Sequence, residues 1–261
     1  MGYEVRAMSF GEILDVGFRL LRDNFALLVG IPAVIYIPLS VATSWFSANP
    51  QAATSGFAIG IGLVAILLFT VGSPIVSAAV TYAVGQIYLD RAVTFNESFG
   101  VGFSILLPLV GTTLLYFLAV FVGLLLFVIP GVYLGLALML VWQIMVLERV
   151  FGVAALKRSR ELMRGNLLRG FGVLFIGGLI VGVISSVLQL VLGFIPLLGP
   201  IGAGLAEAAG GAYTTAIAVV LYFDIRCRKE AFDLEHLAQM VEARGASGMI
   251  AGAGQGGPLV R

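Results

Sequence analysis

A chain of 261 residues that is 60% hydrophobic and 11% charged, with a mean hydropathy of +1.06, is far from a water-soluble domain, where about a quarter of residues carry charge. The composition is that of an integral membrane protein built from helices. A formal net charge of +1 leaves no basic excess for nucleic acid, so the basic residues are informative by position and not by sum.

The chain opens Met-Gly-Tyr-Glu-Val-Arg and enters an amphipathic stretch before any apolar run, so no signal peptide is expected. Ser9-Phe-Gly-Glu12 has the spacing of a capping box and predicts a helix over 9–23. Phe10, Leu14, Gly17, Phe18, Leu21 and Phe25 share one stripe, with Glu12, Asp15, Arg19, Arg22 and Asp23 around the rest. That pattern predicts an interfacial helix on the cytoplasmic leaflet.

Residues 24–89, 98–147, 170–206 and 208–223 contain no Asp, Glu, Lys or Arg. A helix needs about 20 apolar residues to cross a bilayer. Turn signals at Asn49-Pro50 to Gly56, at Pro130-Gly131 and from Pro196 to Pro200 divide the blocks into six spans, near 25–47, 57–89, 101–128, 132–149, 167–193 and 200–223. Every Lys and Arg falls in the N-terminal segment, the 90–100 loop, the 148–169 loop or the C-terminal tail. The positive-inside rule then puts both termini in the cytoplasm of a cell (inner) membrane protein. The 57–89 segment is about 48 Å long as one helix. Read as two short spans it would put Arg149, Lys157, Arg158, Arg160, Arg164 and Arg169 outside while Arg6, Arg19 and Arg22 stay inside, so one long helix with a kink near Pro74 is preferred.

A second interfacial helix is predicted over 153–164, with Leu156, Leu162 and Met163 apolar against Lys157, Arg158, Arg160 and Arg164. A third amphipathic segment covers 230–243, closing a single membrane domain over 1–243, and the Gly-rich stretch 244–261 is too poor in apolar residues to order itself. Two strings echo each other ahead of spans, Phe18-Arg-Leu-Leu-Arg-Asp-Asn24 and Ser159-Arg-Glu-Leu-Met-Arg-Gly-Asn166. Two exits also match, Tyr88-Leu-Asp90-Arg91 and Tyr222-Phe-Asp224-Ile-Arg226. A parallel internal repeat and chance similarity both account for them.

No metal-ligand spacing, nucleophile elbow, CxxC pair or phosphate loop is present, so neither metal nor cofactor is expected and the chain reads as no enzyme. His236, the one histidine, sits in the amphipathic tail segment, and Cys227, the one cysteine, lies between Arg226 and Arg228 as on a reducing face, with palmitoylation a weaker alternative. Glycines recur at small-xxx-small spacing, as in Gly131 and Gly135, Gly178 and Gly182, and Gly202, Ala206 and Gly210, which lets helices approach closely. Glu207 is the one ionisable side chain other than tyrosine inside a span, with Gln189, Gln86, Gln143, Tyr213, Thr214 and Thr215 as polar neighbours to consider. A carboxylate at mid-membrane costs about 2.5–3.5 kcal/mol, so it marks either a proton, cation or ligand site or a hydrogen-bonded structural carboxyl. Asp90 beside Arg91 and Asp224 beside Arg226 read as helix-exit pairs. Lys157, Arg158, Arg160, Arg164 and Arg169 read as contacts to anionic lipid.

Three strings carry a family likeness: Ser-Phe-Gly-Glu-Ile-Leu-Asp-Val-Gly-Phe-Arg-Leu-Leu-Arg-Asp-Asn-Phe at 9–25, Ala-Leu-Lys-Arg-Ser-Arg-Glu-Leu-Met-Arg-Gly-Asn at 155–166, and Leu-Tyr-Phe-Asp-Ile-Arg-Cys-Arg-Lys-Glu-Ala-Phe-Asp-Leu at 221–234. Together they resemble the glycerophosphoryl diester phosphodiesterase membrane-domain family of prokaryotic multi-pass proteins. In its enzymatic members, the resemblance implies, catalysis belongs to a fused soluble barrel, and this chain has neither room for one nor its acidic and histidine residues. The expectation is therefore a six-span helical bundle in lipid or envelope physiology, acting as a transporter or as the membrane subunit of an assembly. The alternative is a scaffold or sensor that recruits a soluble partner through its interfacial helices. Membrane lipids are the expected partners, with a membrane or soluble protein partner also open.

Overall fold

The computed structural model describes residues 3, 5–49, 56–192, 195, 198–232 and 234, in which the chain forms helices and their connections with no strand. In chain order the helices are α1 (Phe10–Asp23), α2 (Phe25–Ala48), α3 (Gly56–Tyr88), α4 (Phe95–Ser104), α5 (Leu106–Leu126), α6 (Val128–Ala137), α7 (Val141–Gln143), a π-helical turn (Ile144–Glu148), α8 (Val153–Met163), α9 (Leu167–Leu192) and α10 (Leu198–Glu230). Among these residues six helical stretches are long and apolar enough to cross a membrane, taking Val128–Glu148 as one. The segments beyond residue 234, with His236 and most of the 230–243 and 244–261 predictions, lie outside the described residues.

α1 starts as its sequence dictates. The Ser9 hydroxyl accepts the Glu12 N–H, and the Glu12 carboxylate accepts the Ser9 N–H at 2.6 Å. Arg6 Nη2 also donates to Glu12, at 2.6 Å, and these bonds, the Arg6 bond foremost, hold the carboxyl down to about 2. A carboxyl depressed in the fold contributes above its ordinary range near 4.5 and loses that contribution as pH falls towards 2. Hydrogen-exchange protection of the Ser9 and Glu12 amides is expected to decline across that window; flat protection from about pH 5 to about 2 would remove the carboxylate from the cap.

The predicted stripe on α1 is rotated from the buried one. Ile13, Val16, Gly17, Leu20 and Leu21 are buried, while Phe18 and Phe25 are exposed. The apolar surface of α1 is wider than one stripe, and its inner half packs on the bundle: Gly17 meets Ile217 of α10, and the Tyr213 hydroxyl donates to the Leu14 carbonyl at 3.3 Å. Ile217 and Tyr213 lie about 10 and 16 Å along α10 from Asp224, so α1 is wedged between helices instead of resting on their ends.

α2, α3 and α9 fall where the charge-free blocks place them, and α3 runs through Pro74 as one helix. The other three spans depart from expectation. The segment expected as one span from 101 is two helices, α4 and α5, meeting at Ile105. Pro108 lacks the N–H that would bond the Ser104 carbonyl, and its ring crowds that carbonyl, so a helix through 104–108 breaks there. α4 has its own capping box, with Thr94 accepting from Glu97 N–H and Glu97 accepting from Thr94 N–H. Pro130-Gly131 is not the turn: α5 and α6 are joined through the extended Phe127 alone, and Pro130 sits in the first turn of α6, where no intrahelical N–H is needed. Gly131 is the residue that admits α5, since a Cβ there would lie 2.7 Å from the Leu124 nitrogen. The last span does not stop at residue 223; α10 continues two turns, to Glu230.

α10 is the central helix, buried from Gly204 to Cys227 along its inner faces and packed on α2, α9, α1 and α3. Small residues make the approach possible at Gly204 against α2 and at Gly210 against Val181 of α9. The predicted Gly178 and Gly182 pair does not serve this purpose, because both face open space on α9.

The two echoed strings share one local device. Asn24 and Asn166 each turn the side-chain amide back to the carbonyl four residues earlier, Leu20 at 3.2 Å and Leu162 at 3.5 Å, where α1 hands over to α2 and α8 to α9. The exits differ: α3 ends and Asp90 takes a positive φ of 58°, whereas α10 runs on past Asp224.

Candidate functional site

The six polar residues singled out around Glu207 are not gathered by the fold. Glu207 and Gln189 are exposed, Gln86 is half-buried on the last turn of α3, and Gln143 is buried beside the π-turn with its Oε1 lacking a hydrogen-bond partner among the described residues. Tyr213 is bound to Leu14 of α1, and Thr214 and Thr215 donate back to the Gly210 and Gly211 carbonyls at 2.9 Å. No hydrogen bond or ion pair links any two of the six among the described residues. The reason is distance along the bundle: Glu207 is about 26 Å of helix from Asp224, whereas Gln86 and Gln143 belong to the charged end.

At that charged end the structure assembles what the sequence left scattered. Asp224, its side chain fully buried, accepts Met8 N–H at 2.7 Å and Arg228 Nε at 3.0 Å on one oxygen, and Arg169 Nε at 2.8 Å on the other. The Met8 carbonyl accepts from Arg228 at 2.6 Å and from Arg169. One carboxylate and two guanidinium groups thus clamp the N-terminal segment to α9 and α10. A buried carboxylate is tolerable only when paired and hydrogen-bonded in this way. Asp224 therefore does not pair with Arg226 as its neighbourhood in sequence suggested, and Asp90 and Arg91 form no ion pair with each other among the described residues.

A second network lies alongside. Glu148, at the end of the π-turn, accepts Arg158 through Nε at 3.0 Å and Nη2 at 3.2 Å, and the Tyr222 hydroxyl at 2.7 Å. Arg158 also donates to Glu230, which accepts Arg226 Nε at 2.9 Å, and Arg226 lies over the Phe232 ring at 4.1 Å. The bonds to Glu230 and Glu148 push Arg158 further above its already high range. Arg149 turns the chain out of the π-turn in the left-handed region, φ 57°, and Gly152 follows at φ 66° to start α8. Two of the five basic residues expected at lipid, Arg158 and Arg169, are thus half-buried and paired with Glu148, Glu230 and Asp224.

The remaining three stay outside. Lys157 and Arg160 on α8 and Arg164 at its C-terminal cap are exposed and, with Tyr133 of α6 and Glu161, line a recess of about 480 Å³. The buried face of α8 is the opposite one, Ala155, Ser159, Leu162 and Met163, with the Ser159 hydroxyl donating to the Ala137 carbonyl at 3.0 Å.

A different cavity opens between α1, α9 and α10. It measures about 380 Å³ and is bounded by Phe18 and Leu21, by Ile180, Val181, Ile184 and Leu188, and by Ala206, Ala209 and Tyr213, with Ser185 the one other polar contributor. Glu207 is not in its wall.

Residues 98–222 match the family model described as Domain of unknown function (DUF8558). No curated protein and no solved structure matches the chain. The matched stretch runs from α4 into α10 and holds Glu148, Arg158, Tyr222 and the Lys157–Arg164 face, but Asp224, Arg228 and Glu230 lie just past it. Of the network residues, the sequence offered a readable signal for two pairs, Asp224 with Arg228 and Arg226 with Glu230, each at i and i+4.

Proposed function

We propose that the protein is a non-enzymatic multi-pass membrane module that holds lipid, with both termini on the cytoplasmic side of a prokaryotic cell membrane. The observation that carries the reading is the cavity between α1, α9 and α10, whose wall is apolar but for Ser185 and Tyr213. A cavity of that chemistry accepts an acyl chain and offers nothing to an ion. The three networked carboxylates agree with the non-enzymatic part, since Glu148, Asp224 and Glu230 are all engaged by arginines. Ion-coupled movement through Glu207 draws no support from a side chain outside the cavity. The likeness to the glycerophosphoryl diester phosphodiesterase membrane-domain family agrees with a lipid-facing role.

Native mass spectrometry of the full chain released in mild detergent tests this. Retained phospholipid is expected, falling severalfold when Ala209→Phe fills the cavity and unchanged in Glu207→Gln. Loss of lipid in Glu207→Gln with none in Ala209→Phe would overturn the reading. A second reading, a membrane subunit of an assembly, is favoured by the open Gly178 and Gly182 face of α9, and the same spectra report a protein partner directly.

A further inference from the structure

We infer that Lys157, Arg160 and Arg164, with Tyr133, form a binding site for the phosphate of an anionic phospholipid whose acyl chain lies along α6. The recess is a second place for lipid, apart from the cavity between α1, α9 and α10, and the inference rests on the lipid-holding reading above only in taking the protein to hold lipid, to which it adds a headgroup class.

The first ground is what separates these three cations from their neighbours. α8 and the start of α9 carry five basic side chains, and the two that point inward are consumed, Arg158 by Glu148 and Glu230 and Arg169 by Asp224. The side chains of Lys157, Arg160 and Arg164 have no ion-pair or hydrogen-bond partner among the described residues. Lys157 and Arg160, at i and i+3, share one face of α8, and Arg164 at its C-terminal cap lines the same recess. With Glu161 on the same rim the recess keeps a net charge of +2.

The second ground is what adjoins that charge. Tyr133 belongs to α6, part of a stretch long and apolar enough to cross a membrane, and places a hydroxyl and an aromatic ring at the edge of the recess. Ile129, one turn further from the charged end and on the same face, is exposed, as is Val132. A phosphate in the recess therefore has an apolar strip leading away from it. A soluble anion uses only the charged part; a phospholipid uses both.

The test is competition in native mass spectrometry. The full chain in mild detergent is given equal amounts of dioleoyl phosphatidylglycerol and dioleoyl phosphatidylcholine, with and without excess glycerol phosphate. Preference for phosphatidylglycerol is expected, and each of Lys157→Ala, Arg160→Ala and Arg164→Ala should reduce it about fivefold, from roughly 1 kcal/mol per basic residue near a surface. Arg160→Lys should keep most of it, and Arg22→Ala, at an exposed arginine of α1, should leave it unchanged. These side chains are exposed, so the variants are expected to fold, and an Arg164→Glu variant reversing one charge provides an independent check with a larger loss. Glycerol phosphate should not displace the lipid. An undiminished preference in the triple alanine variant overturns the site, and displacement by glycerol phosphate would make it a site for soluble phosphate. Equal retention of both lipids by the unaltered chain defeats this inference alone, whereas retention of neither defeats the lipid-holding reading as well.

Discussion

Replacing Asp224 with alanine is expected to cost about 3–5 kcal/mol of stability, the range for removing one partner of a buried ion pair. Its carboxylate is fully buried and takes donors from three places at once: the Met8 backbone, Arg169 on α9 and Arg228 one turn along α10. Alanine leaves two guanidinium groups facing each other across the Met8 carbonyl with no counter-charge, and orphans the Met8 N–H. Asp224→Asn should recover little, since it restores an acceptor but not the charge. Arg228→Ala should cost much less, because that side chain is 38% exposed and Arg169 remains in place. Thermal unfolding in mild detergent measures the loss, and limited proteolysis before Ser9 should accelerate in step, because the N-terminal segment is what the carboxylate holds down. A loss below about 1 kcal/mol would mean that the clamp is a surface decoration.

That clamp also shows where reading a single sequence stops. The spans were legible because charge is excluded from hydrocarbon, a rule that acts on each residue separately, and α2, α3 and α9 lie where the charge-free blocks put them. The α1 cap was legible because Ser9 and Glu12 are three residues apart. The same spacing at Thr94 and Glu97 was available and marks the start of α4, and Pro108 carried the signal for the break at Ile105. The pairing of Asp224 with Arg169 had no such signal. It joins residues 55 apart through the folded bundle, and adjacency in sequence suggested Arg226, which the helix turns towards Glu230 and Phe232 instead. Glu207 drew attention because a carboxylate in a span is costly, yet cost alone does not gather neighbours, and the polar groups nearest in the reading lie at both ends of the bundle.

The contrast between two glycines gives the second large effect. A Cβ on Gly204 would sit 2.7 Å from the Ile37 Cα and 2.8 Å from the Tyr36 carbonyl oxygen, with the Ser40 hydroxyl at 2.6 Å. The first two are backbone and cannot rotate away, so Gly204→Ala must push α2 from α10. It should also strain the bond that Ser40 donates to the Pro200 carbonyl. Overpacking of this kind costs about 1–3 kcal/mol, and the rigid obstruction places Gly204→Ala at or above the top of that range. Gly178→Ala meets nothing within 4 Å and removes a residue of poor helix propensity, so it should be neutral or stabilising by up to about 1 kcal/mol. Both are read by thermal unfolding of the detergent-solubilised chain. Equal, small effects would mean that α2 and α10 are not in backbone contact at Gly204. If Gly178→Ala were harmless to the isolated chain but disrupted a complex extracted from the native membrane, the open face of α9 would be occupied there by a neighbouring helix, and the assembly reading would gain over lipid holding alone.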